Sequence, residues 1–545
     1  MYYTVYFVND SPNTRSEVRA GKALILASLL VAVLAINLDT TIVNVALPTL
    51  VRELHASTTQ LQWVVDAYSL VFAALLLAAG SFSDRVGRKG ILLAGLGVLG
   101  LASVAGGLTT TADELIIARC FMGLGAAMIF PATLSLISNV FTERAERARA
   151  IGLWGATVGI AVATGPIAGG WLLEHFSWES IFFAMAPVVA LGAALVAWSV
   201  PTSRDPSAPR ADRPGIVLST AAMALLIFTI IEAPDHRWSS PRTLGGFAIS
   251  AILLACFVAW EHRTAEPMLD IGLFRHLRFT AASGSVTVVF FSLAGFIFLV
   301  TQYFQFFKGF GPLSTGIHLL PVATSVGVMS VVGTKLAVRY GTKLVVSTGL
   351  LFLTAFFAWV STVSTSTSYL AIAGQMVLGG SGMGLTSAPA TEAIMGVVPK
   401  AKAGVGSAVN DATRLLGATL GVAVIGSVYA SLYASRLTSD LPSRLPHGLG
   451  SRAHDSVGAA LQVAAGVGAN GRPGLSGAVH SAAEGAFFHG FSAGCLLAAA
   501  VSGAGLLMAM ALLPAQPLAD EEERVSASPA IGADATRTAR ERTVL

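Results

Sequence analysis

The sequence predicts an all-α integral membrane protein, and two features of its composition lead to that fold class. Of its 545 residues, 54% are hydrophobic and only 12% are charged, whereas roughly 25% of residues are charged in an average soluble domain. The hydrophobic residues form long runs of a length that crosses a bilayer as an α-helix. A chain this apolar cannot bury its surface in one soluble core, so lipid must act as its solvent.

Fourteen apolar runs are long enough to span the membrane. The seventh and eighth of these are separated only by the polar interval from Glu232 to Arg242. The predicted spans are 22–50, 59–80, 90–109, 113–139, 147–173, 180–200, 215–233, 243–260, 279–305, 315–338, 344–364, 368–397, 403–433 and 487–513.

The charges in the loops predict the orientation of these fourteen spans. If the N-terminus is cytoplasmic, the inward loops contain seventeen Lys and Arg residues, while the short outward loops contain four. Cytoplasmic loops of membrane proteins carry such an excess of positive charge. An even number of spans then places both termini in the cytoplasm.

The turn between the second and third spans is the most polar interruption in this part of the chain. It reads GSFSDRVGRKG, from Gly80 to Gly90. Gly80 and Gly87 allow two helix ends to approach closely, and Arg85 and Arg88 favour the cytoplasmic face.

A weak internal repeat predicts two halves. The segment GTKLAVRYGTK, from Gly333 to Lys343, again follows an apolar run with glycines and basic residues, but Val338 stands at its acidic position. Parallel halves joined by a linker are a known transporter plan. We therefore predict a cytoplasmic tail (1–21), an N-terminal bundle (22–200), a linker with two helices (201–262), a C-terminal bundle (263–513) that includes a long outward loop (434–486), and a disordered cytoplasmic tail (514–545).

Charged residues inside apolar spans mark candidate functional sites, because they are costly in lipid. Asp39 lies about 25 Å along the first helix, and Asp66 and Arg119 lie roughly 10 Å from the outer ends of theirs. Two carboxylates that share one arginine would form a proton-responsive unit at one level of the membrane. The alternative is a static ion pair that holds the helices together.

Asp411 and Arg414 form a second candidate, since residues three apart share one helix face. A salt bridge within the helix that makes both residues less costly to bury is the alternative here.

The fifth span contains an unusual number of glycines around one proline. Its sequence GATVGIAVATGPIAGGWL predicts close helix packing with a possible kink at the proline. The residues concerned are Gly155, Gly159, Gly165, Pro166, Gly169 and Gly170.

The sequence lacks the motifs of several other classes of function. Basic residues are scattered, which argues against nucleic-acid binding, and the three cysteines form no pattern typical of a metal site. No nucleotide-binding loop, selectivity filter or catalytic constellation is present. We therefore expect neither an enzyme nor a cofactor.

Four motifs together resemble the major facilitator superfamily, and in particular its fourteen-helix drug:proton antiporters. The Gly80–Gly90 turn is similar to the signature loop after helix two. LDTTIVNVALP (Leu38–Pro48), LIIARCFMGLGAA (Leu115–Ala127) and the glycine run of the fifth span resemble the first-helix, helix-four and antiporter motifs. WVVDAYSL (Trp63–Leu70) is similar to exporters of organic cations and methyl viologen.

The resemblance implies a major facilitator fold of two six-helix bundles plus two linker helices. It also implies proton handling by Asp39 and Asp66, assistance from Arg119, and an inner-gate contact of Asp84 that locks the outward-facing state. Glu179 stands where the family often has an arginine after a tryptophan, and the position of Asp411 varies among relatives.

The function implied is export of a hydrophobic, cationic drug or antibiotic against inward proton flow, across the cytoplasmic membrane of a bacterium. The expected partners are this small molecule, protons and the lipid bilayer, without nucleic acid, and the expected state is a monomer. Broad multidrug export and dedicated export of one endogenous antibiotic both fit the motifs. A proton-coupled importer would share the fold, but the glycines of the fifth span argue against it.

Overall fold

The computed structural model describes residues 12–203, 212–264, 267, 271–397 and 403–515. Within these ranges the secondary structure is helical, without strands. The helices are α1 (Pro12–Glu53), α2 (Thr58–Val86), α3 (Arg88–Gly107), α4 (Ala112–Val140), α5 (Arg144–His175), α6 (Ser180–Phe183), α7 (Met185–Ser199), α8 (Arg213–His236), α9 (Pro241–Glu261), α10 (Leu277–Gln302), α11 (Pro312–His318), α12 (Leu320–Tyr340), α13 (Thr342–Val360), α14 (Tyr369–Val397), α15 (Ala403–Asp440), α16 (His447–Asp455), α17 (Val457–Ala469) and α18 (Pro473–Leu512). A 3₁₀ turn (Ile271–Arg275) precedes α10 and a π-helical turn (Tyr303–Phe307) follows it.

The helices form two groups. Helices α1–α7 pack against one another, with α4 lying against both α2 and α3. Helices α10–α15 and α18, with the π-helical turn after α10, form the second group, in which α14 contacts both α12 and α13 and α15 contacts α10 and α18. Small residues permit these contacts: a Cβ at Gly125 would meet the backbone of α3, and one at Gly384 would meet the backbone of α12.

The two extra helices, α8 and α9, lie outside both groups and pack against each other. Helix α8 also contacts α2 and α15, so it bridges the N-terminal and C-terminal groups. Leu70, Ile227 and Ala423 form a small apolar cluster at this junction. The Ser427 hydroxyl donates a 2.8 Å hydrogen bond to the carbonyl oxygen of Ile230.

The two groups touch at the end of the molecule where α1 ends and α2 begins, which we call the α1–α2 end. Helix α2 packs along α15, and α11 packs against the end of α5. A Cβ at Gly316 would meet the backbone of Pro166. The Glu174 carboxylate accepts a hydrogen bond from the backbone N–H of Leu313 at 3.1 Å.

The segment 434–486, predicted as one long outward loop, is mostly helical. Helix α15 continues to Asp440, α16 and α17 follow, and α18 begins at Pro473. The many alanines of this segment favour helix. Ser456 caps α17 by accepting a hydrogen bond from Ala459. Helices α17 and α18 pack against each other, so this segment ends in a helical hairpin rather than a loop.

Thirteen of the fourteen predicted spans correspond to described helices, or consecutive helices, that are long and apolar enough to cross a membrane. The exception is the span predicted at 368–397. It is α14, which is 29 residues long but contains the polar and glycine-rich sequence GGSGMGLTSAPATEA. Because α14 is enclosed by α10, α12 and α13, it needs less apolar side-chain surface than a helix that faces lipid.

Candidate functional site

A buried ion pair joins α1 to α4. The Arg119 Nη1 atom lies 2.7 Å from the Asp39 carboxylate, and the two side chains are 1% and 0% exposed. The sequence predicted both residues as candidates, and the structure brings them together. A charge pair without access to water is stable only when its hydrogen bonds are well formed. The stability of this pair therefore depends on the other partners of Arg119.

Helix α2 supplies those surroundings. Arg119 Nε donates to the carbonyl oxygen of Val64 at 3.0 Å. The guanidinium also lies over the Tyr68 ring, with its Cζ 4.3 Å from the ring centroid, a favourable cation–π geometry. The Tyr68 hydroxyl donates to the Ile36 carbonyl oxygen at 3.2 Å. The ion pair and its surroundings therefore tie α1, α2 and α4 together.

Asp66 does not share Arg119, contrary to the predicted arrangement. Its side chain is fully buried, and both carboxylate oxygens lack a hydrogen-bond partner within the described part of the chain. Val64 and Tyr68 present one face of α2 to Arg119, whereas Asp66, two residues from either, points roughly 200° away around the helix. It shares its face with Gln62, four residues earlier, which contacts α15.

The glycines of α5 fall into two sets. Gly165 and Gly169 lie against Thr41 and Ile42 of α1, and Gly170 lies against Leu313 of α11. Close packing is thus present in this part of the helix.

The other set does not pack. Gly155 and Gly159 have no atoms within 4 Å of the place where a Cβ would stand. The expected close packing is wrong for these two glycines, because both lie on an exposed surface of α5. Pro166 stands within the uninterrupted helix, inside its packed part and directly after Gly165.

The turn between α2 and α3 contacts the end of α7. The backbone N–H of Arg88 donates to the Ser203 carbonyl oxygen at 3.0 Å. Lys89 Nζ donates to the Ala197 carbonyl oxygen at 2.8 Å. Ala197 belongs to the last turn of α7, where the helix dipole favours a positive charge.

Gly80 and Gly87 do not bring two helix ends into the close approach that the sequence predicts. Gly87 has φ +139° and no neighbour within 4 Å of a Cβ, so its role is conformational. A Cβ placed at Gly80 would lie 3.5 Å from the Pro131 side chain, an ordinary van der Waals distance. The side chain of Arg85 is exposed. The side chain of Asp84 lies outside the described part of the structure, as does the inner-gate contact predicted for it.

The second candidate lies on α15. Arg414 Nη1 is 4.0 Å from the Asp411 carboxylate, which is long for an ion pair. Arg414 also donates to the Thr391 hydroxyl at 3.3 Å, and Thr391 donates to the Asn410 side chain at 3.2 Å. The Arg414 guanidinium faces the Phe290 ring at 5.3 Å. The salt bridge within the helix is therefore weak, and the cluster joins α10, α14 and α15.

Sequence reasoning missed the neutral residues of these sites. Tyr68 holds Arg119, and Gln62 and Gln305 connect the two groups of helices. A search for charges inside apolar spans cannot find them. A search for buried amides and hydroxyls could have found them, because such groups also need partners in lipid.

Comparison with known proteins agrees with this architecture. Residues 29–422 match the family model of the Major Facilitator Superfamily. The chain belongs to the major facilitator superfamily. The resemblance of the four motifs is confirmed, and the protein is a multi-pass membrane transporter.

Curated relatives of this major facilitator cover most of the chain. It is 36% identical to the multidrug efflux pump LfrA of Mycolicibacterium smegmatis over 421 residues, which are 77% of this chain and 83% of the relative. It is 34% identical to the methyl viologen resistance protein SmvA of Salmonella typhimurium over 74% of this chain and 81% of the relative. The tetracenomycin C resistance and export protein of Streptomyces glaucescens is 32% identical over 92% of both chains.

A solved structure shows the same fold. A bacterial homologue of the human lysosomal transporter Spinster, in an inward-facing and unoccupied conformation, superposes with a TM-score of 0.64. The sequence identity is 15%, and the superposition covers 90% of this chain and 98% of the other.

Proposed function

We propose that this major facilitator is a proton-coupled antiporter that exports hydrophobic, cationic drugs or antibiotics from a bacterium. The observation that carries the proposal is the buried Asp39–Arg119 pair at 2.7 Å, with a second buried carboxylate nearby at Asp66. Ionisable groups inside membrane spans are costly and serve coupling or transport. The names of the relatives, which are drug efflux and resistance proteins, supply the substrate class.

The loop charges support an orientation in which the α1–α2 end faces outward and both termini are cytoplasmic. The two groups of helices are in contact at that end. The conformation is then inward-facing, as it is in the Spinster homologue. Transport would alternate between this state and one in which the α1–α2 end is open. The moving units would be the two bundles, 22–200 and 263–513, of a single subunit.

Protonation of Asp39 would remove the negative charge that Arg119 contacts. The guanidinium would keep its bond to the Val64 carbonyl oxygen and its contact with Tyr68. The link between α1 and α4 would be weakened, while the link between α2 and α4 would remain. Movement of α1 relative to the rest of its bundle is thereby coupled to proton binding.

Transport in vesicles tests this mechanism. Methyl viologen uptake by everted vesicles under a proton gradient should be abolished in Asp39→Asn and in Asp66→Asn, with unchanged expression. Asp113→Asn is the matched control, because Asp113 is exposed and only accepts a hydrogen bond from Gln60. Undiminished gradient-driven transport in both membrane variants would refute proton coupling through these carboxylates.

Dedicated export of one antibiotic is the second candidate, supported by the likeness to the tetracenomycin C exporter along 92% of both chains. A panel of chemically unrelated cations and antibiotics separates the two possibilities. Competition among several of them would indicate multidrug export, and transport of only one class of compound would indicate a dedicated exporter.

A further inference from the structure

Two buried glutamines, one from each group of helices, donate hydrogen bonds across the α1–α2 end. Gln62 of α2 donates through Nε2 to the Ala423 carbonyl oxygen at 3.1 Å and to the Val422 carbonyl oxygen at 3.3 Å. It also lies 3.3 Å from the Ser427 hydroxyl. Gln305 donates through Nε2 to the Val45 carbonyl oxygen of α1 at 2.8 Å.

We propose that Gln62 and Gln305 form a latch that holds the α1–α2 end closed and sets how often it opens. The proposal rests on alternating access, the proposed function above. Both residues are positioning residues for the conformational cycle, and neither needs to contact the transported compound.

The acceptors of the latch explain why it can release. Helix carbonyl oxygens already accept one bond from their own helix and have a second lone pair for the glutamine. When the halves separate, these oxygens keep their helical bonds and the glutamine amides bind water. No buried group is then left without a partner, so opening meets a modest barrier.

The unused oxygens of the same amides support this interpretation. Oε1 of Gln62 and Oε1 of Gln305 are buried and accept no hydrogen bond within the described part of the chain. Burying an amide oxygen without a partner opposes closure. The unpaired Oε1 offsets only part of the stabilisation that each glutamine gives the closed end through Nε2, so the net preference for the closed state is favourable but small.

The latch also controls access to Asp66. Gln62 and Asp66 are four residues apart and share one face of α2. Gln62 is 0% exposed and lies nearer the α1–α2 end, and Asp66 behind it is also 0% exposed. Separation at Gln62 admits water to that carboxylate from the proposed outer side.

Hydrogen exchange with mass spectrometry on the full-length protein tests the latch without substrate or proton gradient. Gln62→Ala and Gln305→Ala should each raise exchange about 5-fold at the ends of α2 and α15 that meet, as expected for loss of roughly 1 kcal/mol of hydrogen bonding. Exchange at the opposite end, around the α2–α3 turn, should fall, because opening one end closes the other.

Gln375→Ala is the matched control. Gln375 is 2% exposed, donates to the Trp359 carbonyl oxygen at 3.4 Å, and also has a buried Oε1 without a partner among the described residues. Its bond joins α14 to α13 within one group of helices. The control should raise exchange locally without the reciprocal change at the two ends.

Gln62→Glu separates hydrogen bonding from packing, since glutamate keeps the size of the side chain but places an acceptor against the carbonyl oxygens. It should shift exchange in the same direction as Gln62→Ala. Unchanged exchange in the Gln62 and Gln305 variants, or equal increases at both ends, would overturn the latch. Absence of transport by the wild type would overturn only the proposed function.

Discussion

At the scale of single residues, the site depends on how Arg119 is held. On the two neighbouring helices α1 and α2 its guanidinium has three partners: the Asp39 carboxylate, the Val64 carbonyl oxygen and the Tyr68 ring. Lysine could not reproduce this arrangement, because it has one compact charged group where arginine has a planar fork of donors.

A double-mutant cycle should expose the pairing. Arg119→Gln leaves the Asp39 charge buried without its partner and should lower the unfolding free energy by about 3 kcal/mol. Asp39→Asn combined with Arg119→Gln should recover much of this loss, because no buried charge is left. Thermal unfolding in detergent measures the effect. Equal destabilisation by the single and the double variant would contradict a direct interaction between the two charges.

Gly87 should not tolerate a side chain. Its backbone has φ +139° and ψ 118°, a conformation open to glycine alone. Gly87→Ala should destabilise the protein by roughly 2 kcal/mol, measured as a lower thermal midpoint. Gly90→Ala is the control, since Gly90 lies in α3 with open space around it and alanine favours helix. A similar decrease in both variants would show that the strain at Gly87 is not the cause.

At the scale of elements, α5 combines two environments in one helix. Its segment around Gly165 and Gly169 is wedged against α1, and its segment around Gly155 is exposed. The same residue type therefore performs different tasks about three to four turns apart.

Alanine substitutions should separate those tasks. Gly169→Ala places a Cβ 2.5 Å from Ile42 Cγ1 and should push α5 away from α1, reducing transport severely. Gly155→Ala meets no atom within 4 Å and should leave the thermal midpoint unchanged or slightly higher. Transport assays and thermal unfolding of both variants give the comparison. A tolerated Gly169→Ala would mean that the contact with α1 yields readily.

Helix α8 is connected to the seam between α2 and α15 through Ser427. The hydroxyl of Ser427 donates to Ile230 of α8 and lies 3.3 Å from Gln62. The extra helix pair is thus placed to respond when the α1–α2 end opens.

At the scale of the whole molecule, the charges in the loops predict the orientation in the membrane. The contacts between the two groups of helices indicate which end of the molecule is closed. Seventeen basic residues in one set of loops against four in the short loops of the other predict cytoplasmic termini. Within the described part of the chain, hydrogen bonds such as those of Gln62 and Gln305 join the two groups of helices at the opposite, α1–α2 end.

Reporter fusions test the orientation. Green fluorescent protein at the C-terminus should fluoresce, and alkaline phosphatase at the same place should be inactive, because that enzyme needs an oxidising compartment. Alkaline phosphatase inserted after Asn470, in the turn between α17 and α18, should be active. The reverse result at both sites would invert the topology and the direction of transport assigned to it.

The sequence by itself determined the fold class, the family, thirteen of the fourteen spans, and Asp39, Arg119 and Asp66 as charged residues inside spans. These follow from the composition, from the positions of the charged residues and from local motifs, all of which can be read from the chain. Only the tertiary structure decided that Arg119 pairs with Asp39 and not with Asp66, because that depends on the rotation of α2 about its axis.

The other features that the sequence did not predict also depend on how the helices pack. The split of the α5 glycines, the helical hairpin after α15 and the glutamine contacts across the α1–α2 end each depend on which faces meet after packing. A sequence records which residues can be buried at low free energy in lipid. The partners of a buried group are chosen by the three-dimensional arrangement of all the helices around it.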